Sequence, residues 1–105
     1  FHARGDAAKA KDYYRKALSL VPSHRKALNN SGTLALAEKD YGEAVRLFRK
    51  ACALEPGNDR LRINLALANF LAGNKAEALN VLHEALRLNP DSAQARFLLD
   101  DFQKD

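Results

Sequence analysis

Three prolines, Pro22, Pro56 and Pro90, stand 34 residues apart. The same interval relates Ala10, Ala44 and Ala78, then Ala17, Ala51 and Ala85, then Leu20, Leu54 and Leu88. Laid over one another, AKAKDYYRKALSLVPS, GEAVRLFRKACALEPG and AEALNVLHEALRLNPD make the repeat plain. A fixed period of this length is the signature of a stacked repeat, in which each unit buries its apolar side only against its neighbours.

Composition agrees with a helical unit. Apolar residues make up 47% of the 105 residues but aromatics only 8%, and Ala and Leu dominate. Both are strong helix formers, and the small cross-section of Ala suits closely packed helices better than a strand-rich core. No apolar run of membrane-spanning length occurs, so direct membrane insertion is not expected. Seventeen Lys and Arg against 13 Asp and Glu leave a charge of +4. The cations are scattered over every expected helix, which reads as a solvated face and not as a nucleic-acid patch. A single cysteine, Cys52, excludes an internal disulfide and a cysteine metal cage. Beginning at Phe1 and lacking a signal-peptide pattern, the chain reads as an excised piece of a longer protein. The free thiol leans towards a cytoplasmic setting, with a membrane-tethered parent still open.

Taken in order, residues 1–4 are expected to be the tail of a helix that Gly5 breaks, with Asp6 capping the next. From Ala7 to Leu20, apolar residues recur at three- and four-residue steps, and Pro22 stops the helix. A helix is predicted over His24–Glu38. Asp40-Tyr41-Gly42-Glu43 is a capping box opening a helix to about Leu54. Asn58 opens the helix Asp59–Ala72, apolar nearly all round and so expected at the middle of a stack. Gly73-Asn74-Lys75-Ala76-Glu77 repeats the stop and the capping box, and its helix ends before Pro90. The last helix, Ser92 to about Lys104, has one apolar stripe and one polar face, as a terminal capping element requires.

This pattern resembles the tetratricopeptide repeat, a 34-residue helix-turn-helix unit. With Arg25 at position 1, Leu28 falls at position 4, Gly32 at 8, Ala44 at 20, Phe48 at 24, Ala51 at 27 and Pro56 at 32. The unit from Asp59 keeps Leu65, Ala66, Ala78, Leu82, Ala85 and Pro90 at positions 7, 8, 20, 24, 27 and 32. Arg62 at position 4, and Ala35 and Asn69 at position 11, depart from the pattern. The resemblance spans the whole chain. It implies an all-α fold, a right-handed superhelical stack of antiparallel helix pairs with about six helices. The expected division is residues 1–22 as the second half of a repeat, 25–58 and 59–92 as full repeats, and 93–105 as a terminal helix.

Domains of this kind are usually scaffolds that bind an extended peptide in the concave groove lined by each unit's first helix. At about 100° per residue, positions 4, 7, 8 and 11 share the arc that packs inward, and positions 2, 5, 6, 9, 12 and 13 share the opposite one. The expected groove residues are therefore Lys26, Asn29, Asn30 and Thr33 from the first full unit. Arg60, Ile63, Asn64, Leu67 and Phe70 come from the second, and Phe97 from the terminal helix. Asn30 and Asn64 occupy the same position one repeat apart, and a side-chain amide can pair with any peptide backbone. Lys26 and Arg60 suit a carboxylate by charge-assisted hydrogen bonds. The family's carboxylate clamp also needs a Lys at position 5, where this chain has Asn29, Ile63 and Phe97, so the full clamp is missing.

Other chemistry finds no support. His2, His24 and His83 lack metal-ligand spacing, Ser31 and Ser92 have no base placed for them, and no glycine-rich phosphate loop is present. Neither catalysis nor a cofactor is expected, and the apolar Ile63 and Leu67 argue against RNA. The leading expectation is a binding module for a protein or peptide. The alternative is a homo-oligomer formed through the uncovered N-terminal face, where Tyr13, Tyr14 and Leu18 lie.

Overall fold

Each period folds as two helices because a helix-stopping element falls twice in every 34 residues. The computed structural model describes residues 4–21 and 23–104, and among these it contains six helices. They are α1 (Arg4–Leu20), α2 (Arg25–Ala37), α3 (Tyr41–Leu54), α4 (Asp59–Leu71), α5 (Lys75–Leu88) and α6 (Ala93–Gln103). Every helix packs on the next in sequence, and α4 also touches α6. This is the contact pattern of a quasi-one-dimensional stack.

Caps account for most boundaries. The first helix of each unit starts on a side-chain acceptor for an otherwise unpaired amide: His24 Nδ1 for Ala27 N, Asn58 Oδ1 for Leu61 N, Ser92 Oγ for Ala95 N. The first helices α2 and α4 end alike. Lys39 N donates to Leu36 O and Asp40 N to Ala35 O; a repeat later, Gly73 N donates to Phe70 O and Asn74 N to Asn69 O. These are Schellman closures, and the residue inside each turn is left-handed, with φ of 63° at Lys39 and 93° at Gly73.

Two sequence expectations need correction. The first helix runs without a break through Gly5 and Asp6 from Arg4, so no helix begins after Asp6. One internal glycine costs only about 1 kcal/mol relative to alanine, and the Ala-rich run that follows outweighs it. Phe1–Ala3 and Pro22 lie outside the described residues. The second correction concerns the two capping boxes. Asp40 accepts from Glu43 N at 3.4 Å, but Asn74 makes no side-chain cap bond. The Glu43 carboxylate turns instead to Arg46, which grips it by two bonds of 2.8 Å and holds it below the usual carboxylate range.

Small residues let the helices close up. Ala44, Ala66, Ala78, Ala85 and Ala95 are fully buried, and Phe48, Leu28, Leu47 and Leu82 fill the space between them. A Cβ on Gly32 would lie 2.8 Å from the Phe48 ring, so glycine there is required by close approach. The second full unit departs from the ideal at two places where a polar side chain enters this interior. Asn69 is fully buried; its Nδ2 donates to Leu65 O at 3.1 Å while Oδ1 has no partner. Arg62 reaches Pro56 O with Nη2 at 3.0 Å and buries an unpartnered Nε. Cys52 is 5% exposed, and burial pushes its thiol pKa up, leaving a small apolar filler and not a nucleophile.

Candidate ligand groove

The first helices α2 and α4 start from equivalent caps one repeat apart, so equal positions of the repeat stand in rows. Lys26 and Arg60, one per helix at position 2, are both exposed. Asn30 and Asn64 follow at position 6, each half-buried, and Thr33 is exposed beyond Asn30. Across the two helices, Asn64 Nδ2 donates to Asn29 Oδ1 at 3.5 Å. The amides thus meet diagonally, from position 6 of one unit to position 5 of the other, and not Asn30 to Asn64. Thr33 Oγ1 donates to Asn29 O at 3.0 Å, so its hydroxyl is turned onto its own helix.

Beside this row lies a depression of about 600 Å³ at the starts of α2 and α4. Lys26 and Asn29 form one wall, and Glu55, Asn58 and Leu61 the other. Glu55 is fixed there, 3.4 Å from the Arg25 guanidinium and 3.0 Å from Asn58 Nδ2. His24 and Asn58, already engaged as caps, complete the rim. Sequence reasoning missed Glu55 and Asn58 because they sit in the loop between units, outside the face of either helix.

The apolar part of the expected surface is distributed differently. Ile63 is 3% exposed and belongs to the core, so it offers almost nothing to a ligand. Phe70 is half-buried and stacks on Phe102 of α6, with ring centroids 3.9 Å apart and planes 2° from parallel. Leu67 is half-buried against the core cluster. Phe97 is 68% exposed on α6, at the end of the stack and away from the amide row. What remains in one place is a polar strip, Lys26, Asn29, Asn30, Arg60 and Asn64, with Leu67 as its apolar neighbour. Among the described residues no cluster of His, Cys, Asp and Glu could hold a metal, and no helix is long and apolar enough to cross a membrane.

Two family models described as tetratricopeptide repeat match residues 35–99 and residues 3–59. Among solved structures, MamA from Desulfovibrio magneticus RS-1 is similar at 24% identity with a TM-score of 0.86, over 93% of this chain and 55% of that one. A Thermobaculum terrenum O-GlcNAc transferase mutant is 31% identical, with a TM-score of 0.81, over 93% of this chain and 19% of the transferase. The second TPR domain of human RPAP3, in complex with the HSP70 peptide SGPTIEEVD, is 21% identical with a TM-score of 0.87, over 96% of this chain and 84% of that one. The chain therefore spans about half of MamA and a fifth of the transferase. Among curated proteins no significant match is found.

Proposed function

We propose, from the premise that this chain belongs to the tetratricopeptide repeat family, that it is a non-catalytic scaffold holding an extended peptide along α2 and α4. The observation that carries the reading is the row of amides from Asn29 and Asn30 to Asn64, joined across the two units by the Asn64–Asn29 contact. Such a row offers donors and acceptors to a peptide backbone whatever its side chains. Lys26 and Arg60 at its edge add attraction for an acidic group of the ligand. The second TPR domain of human RPAP3 carries a peptide ending in Glu-Glu-Val-Asp. With Asn29 in place of a clamp lysine, this chain is expected to hold such a carboxylate end weakly and to rely on the backbone.

A random-peptide display library panned on the chain supplies the probe. The best binder is then measured by isothermal titration against wild type and the Asn30→Ala/Asn64→Ala variant. A loss of about tenfold or more is expected, equivalent to one to two net hydrogen bonds. Equal affinity for both proteins would remove the amide row from the site.

A second reading is favoured by the exposure of Tyr13 at 69% and Leu20 at 83% on α1. Apolar residues left this bare draw another surface, and the reading is self-association through α1. Light scattering over a concentration series decides it, since a strictly monomeric protein would end it.

A further inference from the structure

Cations that lie apart in the sequence are gathered by the period. Arg15 and Lys16 on α1 stand one repeat before Arg49 and Lys50 on α3, and all four are exposed. This exposure is not set by where the chain begins, because α3 packs on both α2 and α4 and still shows it. The fold does not call for the charges either. α5 has His83 and Glu84 at the same two positions, and carries two Lys and Arg against two Glu. α3 carries three against one, and α1 five against two. Arg46 is held by Glu43, whereas Arg49 and Lys50 have no ion-pair partner among the described residues. Along the outward face of α3 these cations border a shallow dish of about 450 Å³, whose apolar lining is Gly42, Val45 and Ala53. A Cβ on Gly42 would meet nothing within 4 Å, so the dish is open there. A cleft of about 550 Å³, lined by Arg15 and Leu18 from α1 and by Arg46 and Leu47 from α3, joins the two helices into one surface.

We propose that this outer face of α3, with Arg15 and Lys16 beside it, is a second binding surface. Its occupant is an acidic segment of a partner protein that seats one apolar side chain in the α3 dish. Unpaired cations complement carboxylates and steer them in, and the dish gives the segment a fixed register. Two observations favour a protein over a nucleic acid. Glu43 and Asp12, which stands on α1 at the position of Arg46, interrupt the cations. A phosphate backbone carries charge at close, regular intervals and cannot avoid them, whereas a peptide can set neutral residues there. The apolar lining of the dish likewise suits a side chain and not a phosphate. The surface faces away from α2 and α4, so it stands whether or not the amide row is a site. Exposed charges supply most of the attraction, which makes the association salt-sensitive.

Fluorescence anisotropy with two labelled peptides tests this: Glu-Asp-Glu-Leu-Glu-Asp-Glu, and the same peptide with Ser in place of Leu. At low ionic strength the wild type is expected to hold the leucine peptide about fivefold or more tighter than the serine one. Arg49→Glu/Lys50→Glu should weaken the leucine peptide by about tenfold or more. Lys26→Glu/Arg60→Glu makes the same change of charge in the groove and should cost less than about threefold. All four sites are exposed, and circular dichroism checks that both variants keep the fold. No binding by the wild type would overturn the proposal. Equal losses in the two variants would mean that the peptide responds to net charge alone, and a loss confined to Lys26→Glu/Arg60→Glu would put it in the groove; either result removes the outer site. Equal affinity for the two peptides would overturn the part given to the dish. Duplex DNA or phosphatidylserine vesicles bound more tightly than the peptide, and released by Arg49→Glu/Lys50→Glu, would overturn the acidic protein as occupant in favour of phosphates.

Discussion

At the scale of single residues, the repeat is strict about backbone shape and lax about chemistry. Lys39 and Gly73 occupy the same turn and the same left-handed conformation, but only one of them is glycine. A side chain bearing a Cβ in that region costs about 1–2 kcal/mol, partly offset by the entropy that glycine loses on folding. Lys39→Gly is therefore expected to stabilise the protein by about 1 kcal/mol, read as a higher urea midpoint at unchanged slope. No local pattern marks Lys39 as left-handed; only its alignment with Gly73 does. Asn69 and Arg62, noticed in the sequence as departures, are among the described residues the two whose buried polar side-chain atoms stay unpartnered. Such groups lower stability relative to an apolar filler of the same shape, so the sequence irregularities and the weak points of the interior coincide.

At the scale of helices, most boundaries were legible and most of the groove's burial was not. Prolines, caps and Schellman turns act on neighbouring residues, so the predicted ends about Leu54, at Ala72 and before Pro90 lie within a residue or two of the observed Leu54, Leu71 and Leu88. Gly5 misled because a breaker is only a small local cost, which the helix around it absorbs. Ile63 and Phe70 misled for the opposite reason: their positions face outward on an isolated helix, and tertiary packing, including the Phe102 ring on Phe70, covers them. Helical periodicity gives the direction of a side chain but not what comes to stand there. The caps themselves offer a comparison within one molecule. Asp40 and Asn74 begin equivalent helices, but only Asp40 satisfies an amide. Asp40→Ala is expected to cost about 1 kcal/mol and Asn74→Ala a few tenths, measured by thermal unfolding of the two variants side by side. Equal losses would show that both side chains cap in solution.

For the whole molecule, stability is a sum of units and junctions, so damage at one end should stay near that end. α6 is held by α5 and by the tip of α4, and the stacking of Phe102 on Phe70 is the aromatic contact that ties it there. Phe102 is 3% exposed, and its removal leaves a cavity against Phe70 that the small α6 helix cannot refill. Phe102→Ala is expected to cost about 3 kcal/mol or more. In a domain with a single centre such a loss would loosen every element together. In a stack it should instead release α6, then the adjoining parts of α4 and α5, while α2 and α3 keep their protection. Amide hydrogen exchange followed by mass spectrometry separates the two cases. Faster exchange confined to peptides from α6 and its neighbours is the expected result, whereas equal acceleration in α2 and α3 would mean that the chain unfolds as one cooperative unit. The distinction bears on function, because Asn29 and Asn30 on α2 then lie in the part of the stack that persists, while Asn64 sits on α4, the helix that α6 leaves partly uncovered.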